Sequence, residues 1–186
     1  MKTFLKTALA AAALTAAGLS QASSYSFNFP STSSSVVASI GSIGSSEIGY
    51  FWSVARGDKV SQAYAASGVF GTTSLELDLK VTQNVLTSGN SVQWDVLLNG
   101  TDVGDWAWSA ADGTGLTHLS LSFAAVAGEF STLALVVKNE VPSGDGSIAL
   151  GLDTRGTVAA IPEPETYALM LAGLAGIGAL VRRRKA

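Results

Sequence analysis

Leu75-Glu76-Leu77-Asp78-Leu79-Lys80-Val81 decides the fold. Apolar and charged side chains alternate through it with a period of two. In an extended chain that period sends the apolar set to one face and the charges to the other. The pattern recurs on both sides of this stretch. Val92, Trp94, Val96 and Leu98 alternate with Gln93 and Asp95, and Leu119, Leu121 and Phe123 alternate with His118, Ser120 and Ser122. Ile48, Tyr50, Trp52 and Val54 form an earlier set; Leu133, Leu135 and Val137, then Ile148, Leu150 and Leu152, form later ones. Clusters of Gly, Ser, Asn and Asp separate the runs, and none of them has helical periodicity. An all-β chain follows: one antiparallel β-sandwich or jelly-roll-like domain. Ser31 to Ser35 and Gly41 to Ser46 are small and polar and read as loops or a loose edge.

Asn99-Gly100 is the sharpest turn signal. It suits a two-residue type I′ hairpin, which needs positive φ at both positions. Pairing outward sets Val96 opposite Val103 and Trp94 opposite Asp105, which leaves Trp106 on the wrong face. A bulge at Gly104 restores it, and glycine is the residue expected at a bulge.

The ends of the chain have a different character. Lys2 and Lys6 precede an Ala/Leu-rich run from Ala8 to Leu19, and Ser20-Gln21-Ala22 follows with small residues. This order is that of a secretory signal peptide helix over residues 1–22, cut after Ala22 by a signal peptidase once the export translocon has engaged it. At the other end Pro162-Glu163-Pro164 leads into an apolar run from Tyr167 to Val181, closed by Arg182, Arg183, Arg184 and Lys185. As a helix that run is about 22 Å long, short for a hydrocarbon core of about 30 Å. Arginine snorkelling and local thinning make it a short transmembrane helix. The basic cluster stays cytoplasmic, so the body between the two ends lies outside the cytoplasm. Each proline restrains its preceding residue to an extended conformation. The Pro-Glu-Pro segment is thereby held extended beside the membrane.

The tripeptide, the apolar run and the basic end, in that order, resemble a PEP-CTERM sorting domain. The resemblance implies a Gram-negative bacterium that makes exopolysaccharide. It also implies an exosortase partner, a membrane enzyme that recognises the tail and passes the body to the cell surface or extracellular matrix. Three segments are expected: residues 1–22 as signal peptide, 23–160 as the exported domain and 161–186 as the sorting domain. The membrane helix is then a transient inner-membrane anchor with the body in the periplasm.

The whole chain has a formal net charge of −3. Its basic residues concentrate at the ends; residues 23–160 hold five basic and twelve acidic side chains, a net of −7. Such a body repels nucleic acid and anionic membrane and tolerates neutral glycans. The absence of cysteine excludes disulfides, thiol catalysis and thiolate metal sites.

Candidate chemistry in the body is sparse. His118 is the single histidine, which argues against zinc; no Gly-x-Ser-x-Gly elbow accompanies it for a catalytic triad. Glu76 and Asp78 share a strand face at roughly 7 Å, a spacing an inverting glycosidase pair can have, but alternating acids on a wet face explain them. Asp102, Asp105 and Asp112, with Asp145 and Asp153, read as turn formers. A structural calcium is the alternative there, although no Asp-x-Asp-x-Asp-Gly loop is present. Trp106 and Trp108 share a face; exposed, they would stack on sugar rings, and inward they fill the core. The expectation is a surface or matrix protein sorted by its tail, associated with exopolysaccharide, without catalytic residues or cofactor. A glycan-binding module is the alternative, and a carbohydrate-active enzyme the second.

Overall fold

The structure, a computed structural model, describes residues 23–31, 33–37, 41–50, 54–142, 144–152, 154–160 and 171–178. Ser23–Ala160 forms a compact unit of its own. It contains twelve strands in two sheets, with antiparallel pairing at every ladder among the described residues. They are β1 (Ser24–Asn28), β2 (Ser35–Val37), β3 (Gly41–Ile43), β4 (Glu47–Tyr50), β5 (Lys59–Ala63), β6 (Phe70–Asn84), β7 (Ser91–Leu98), β8 (Thr101–Ser109), β9 (Gly115–Glu129), β10 (Thr132–Val137), β11 (Ile148–Gly151) and β12 (Arg155–Ala159). A short 3-10 turn, Ala110–Asp112, links β8 to β9.

The alternation at Leu75–Val81 lies in β6, the longest strand together with β9, at 15 residues. Leu75, Leu77, Leu79 and Val81 are buried while Glu76 and Asp78 are exposed. Along one edge β6 pairs with β9. Its other edge carries β12 against Ser74–Asp78 and then β11 against Val81–Asn84. β1 flanks β12, and β4 and β3 flank β11. The second sheet runs β2-β5-β10-β7-β8. Inward residues of both sheets share one core, including Leu75, Leu77 and Leu79 from the first and Trp94, Val96, Leu133 and Leu135 from the second.

The β7–β8 hairpin has the expected turn. Asn99 and Gly100 have φ of 50° and 79°, as type I′ requires. The ladder runs Leu98↔Thr101, Leu97↔Asp102, then Val96↔Gly104 and Trp94↔Trp106. Val103 is the extra residue and Gly104, at φ 151°, absorbs the bulge. The bulge returns Trp106 to the core side.

Several expectations need correction. β3, and Ser35 of β2, lie in segments read as loops or a loose edge; both strands are at sheet edges. Both are three-residue strands, too short to show a period. The run from Ile48 to Val54 is not established as one strand: β4 ends at Tyr50, Val54 forms an isolated bridge with Val141, and Trp52 lies outside the described residues. Residues 1–22 and the Pro162-Glu163-Pro164 and Arg182–Lys185 segments also lie outside them. Of the expected Tyr167–Val181 span, residues 171–178 are described and helical. No helix among the described residues is long and apolar enough to cross a membrane.

Candidate functional site

The outward face of the first sheet carries the chemistry. Strand register places its side chains in two rows across four strands. One row is Asn28 (β1), Arg155 (β12), Asp78 (β6) and His118 (β9); the next is Ser26, Thr157, Glu76 and Ser120 on the same strands. A cleft of about 500 Å³ lies over these rows. Gly156 faces inward at this level and leaves room for the Phe27 ring, which would sit 2.5 Å from a Cβ there.

His118 is held between two carboxylates. Its Nδ1 lies 2.7 Å from Asp78 Oδ1 and its Nε2 2.9 Å from Glu76 Oε2. Two acceptors at these distances call for two N–H donors, which only the imidazolium supplies. The Asp78 hydrogen bond, aided by the Glu76 contact, accordingly holds the His118 pKa above its ordinary value. Ser120 Oγ donates to Glu76 Oε1 at 2.7 Å, and Ser26 Oγ and Thr157 Oγ1 share a hydrogen bond of 3.0 Å.

This geometry does not suit either catalytic reading. A triad base needs one free ring nitrogen facing a nucleophile; both nitrogens of His118 are engaged, and Ser120 is bonded to Glu76 instead. An inverting pair needs room for a water between its carboxylates, and here the imidazole bridges Glu76 and Asp78.

Trp106 and Trp108 are 6% and 8% exposed and belong to the core. Trp106 stacks on the fully buried Trp94 with ring centroids 4.3 Å apart, and Trp108 donates its indole N–H to the Gly113 carbonyl at 3.0 Å. The speculative glycan contacts at these two positions are corrected accordingly. Their faces are spent on packing, because the Gly104 bulge turns both rings inward.

The aspartates mostly serve local structure. Asp112 accepts the Ser109 N–H and Oγ–H at 2.6 and 2.7 Å, and these bonds lower its pKa. The Asp145 carbonyl accepts the Thr87 N–H. Asp153 lies outside the described residues. Asp95, Asp102 and Asp105 bring ligand atoms within 4.8 Å of one another. The cation among them is Lys138, whose Nζ lies 2.8 Å from Asp95 and 2.7 Å from Asp105. The Lys138 hydrogen bond lowers the Asp105 pKa, and the two carboxylates raise that of Lys138. A calcium ion held by Asp95 and Asp105 would meet this ammonium.

Arg155, Asn28, Ser26 and Thr157 were not singled out from sequence. They sit on five-residue strands whose patterns are too short to stand out. Arg155 does stand as an isolated cation in an acidic body, and that was the available signal.

The end of the compact unit is also the start of the sorting segment. Residues 160–185 match the family model of the PEP-CTERM protein-sorting motif. The chain carries a PEP-CTERM sorting motif. No curated protein matches the chain. Among solved structures it is similar to a carbohydrate-binding module, CBM36, in complex with calcium and xylotriose, at 13% identity and a TM-score of 0.46, over 70% of this chain and 96% of that one. It is also similar to CBM35 from Paenibacillus barcinonensis, at 12% identity and a TM-score of 0.44, over 73% and 98%. A family 35 carbohydrate binding module from Clostridium thermocellum gives 12% identity and a TM-score of 0.42, over 74% and 97%.

Proposed function

We propose that this PEP-CTERM chain is an exported protein sorted by an exosortase to the cell surface or extracellular matrix, where its β-sheet body acts without catalysis alongside exopolysaccharide. The observation that carries this reading is the sorting motif at residues 160–185. On this reading the signal peptide is removed after Ala22. Pro162, Glu163 and Pro164 present the tail to the exosortase, and Arg182, Arg183, Arg184 and Lys185 hold its end in the cytoplasm until processing. The fold of the body supports the same account. Ser24 pairs with Ala159, and the Ala160 N–H donates to the Ser23 carbonyl at 3.0 Å. The proposed cut after Ala22 and the start of the sorting segment at 161 therefore flank a closed strand pair, which fits removal of the ends without loss of a core residue.

The test is to replace Pro162, Glu163 and Pro164 with alanine in a host that encodes an exosortase. Uncut, membrane-retained protein is expected. Release equal to that of the unaltered chain would contradict the proposal.

A second reading is favoured by the polar cleft: the body holds a glycan. Hydroxyl-rich ligands need fixed donors and acceptors side by side, and the two rows over β1, β12, β6 and β9 supply both.

A further inference from the structure

We infer that the cleft over Asn28, Arg155 and Asp78 binds a neutral, hydroxyl-rich glycan chain edge-on, through hydrogen bonds and without aromatic stacking. The inference rests on the second reading above and names its site and ligand class.

Bonding capacity in the cleft divides into used and unused parts. Glu76 spends both oxygens, on Ser120 and His118, and His118 spends both nitrogens. These residues fix the floor. Among the described residues the Arg155 guanidinium and the Asn28 amide make no side-chain hydrogen bond to the protein, and Asp78 uses only Oδ1. A guanidinium offers five donors, an amide offers donors and an acceptor, and a carboxylate only accepts. Neighbouring strands are about 4.8 Å apart, so the three side chains form a row spanning about 10 Å. A hydroxyl group donates and accepts, and so meets both ends of such a row. Successive sugar hydroxyls do this repeatedly.

Charge selects among glycans. In the cleft Glu76 and Asp78 are balanced by His118 and Arg155, so the site itself is near neutral. The surrounding body is at −7, which repels a polyanion over longer distances. A neutral chain avoids that repulsion. Trp94, Trp106 and Trp108 are buried, so no face of these rings is open for stacking on a sugar.

The experiment is affinity electrophoresis of the purified full-length chain in detergent micelles. The gels contain galactomannan or hydroxyethylcellulose as neutral polymers, or alginate as the charged one. Retardation by a neutral polymer is expected, weakened at least tenfold in Arg155→Met and Asp78→Asn and unchanged in Lys59→Gln on the other sheet. Arg155→Met guards against a loss that reflects only the broken Asp78–His118 contact. Retardation that persists in both variants would place a glycan site elsewhere and overturn this assignment. Stronger retardation by alginate would overturn the ligand class. No retardation by any polymer would overturn the glycan reading itself. The sorting proposal is read separately, because the assay uses protein already purified.

Discussion

Asn99 does more than turn the chain. Its side-chain Oδ1 accepts the N–H groups of Ser131 and Thr132 and the Ser131 hydroxyl, and its Nδ2 donates to the Glu129 carbonyl at 2.8 Å. The β7–β8 turn thus clamps the β9–β10 turn. Asn99→Gly keeps the positive φ and deletes the clamp. With several hydrogen bonds lost at about 1 kcal/mol each, a destabilisation of about 2–3 kcal/mol is expected. Denaturant unfolding measures it, and a loss below about 0.5 kcal/mol would mean water replaces the clamp. The turn was legible because Asn-Gly is a local signal. The clamp was not, since its partners lie some thirty residues away. His118 gives a second prediction at this scale. Its pKa is raised in the folded chain by Asp78 and then Glu76. The cross-strand contribution is therefore fully present below the unfolded value near pH 6.5 and is lost as pH rises through the raised folded value. Thermal melts of the native chain and His118→Gln across pH 5 to 9 should converge as pH rises. A gap that widens toward alkaline pH would contradict the assignment.

At the scale of elements, β6 shows how a long strand is shared. Among the described residues the β12 ladder on β6 stops at Asp78 and the β11 ladder starts at Val81, leaving a gap between the two strands on that edge. Thr154 fills the gap. Its Oγ1 accepts the Lys80 N–H at 3.1 Å and donates to the Gly151 carbonyl at 3.0 Å, and its own carbonyl accepts the Phe29 N–H at 2.7 Å. Thr154 is 1% exposed, so Thr154→Val should leave two backbone groups short of a partner and cost about 1–3 kcal/mol by calorimetry or denaturant. No change would mean the β11–β12 junction relaxes to pair them. Asp95 and Asp105 lie directly opposite across β7 and β8, where like charges destabilise. Lys138 on the segment after β10 bridges them. Lys138→Met should lower the thermal midpoint, and Asp105→Asn added to it should restore part of the loss. An additive double mutant would rule out the bridge. The strands with long alternation, β6, β7 and the first half of β9, were readable because one face is wet and one is buried. β1, β5 and β12 were not, because each is five residues long, too short a run for a period to stand out. At β11 all four residues are buried, so alternation there records chain order rather than exposure.

The whole molecule joins a closed body to a terminal address. β1 and β12, the first and last strands, pair along five residues, so the two proposed processing points leave the body side by side. The address was legible from sequence because its tripeptide, apolar run and basic end form a local pattern. The polar cleft was not, since register across four strands brings together residues from positions 26 to 157. The separate β7–β8 register buries Trp106 and Trp108, so the candidate glycan surface is the wet outer face of the first sheet. The central claim is that both ends are removed and the body alone reaches the surface or matrix. Intact mass and terminal peptide mapping of the protein recovered from the extracellular fraction test it most directly. The account predicts an N-terminus at Ser23 and a C-terminus that lacks the Arg182–Lys185 cluster. Extracellular protein that still ends at Ala186 would contradict it.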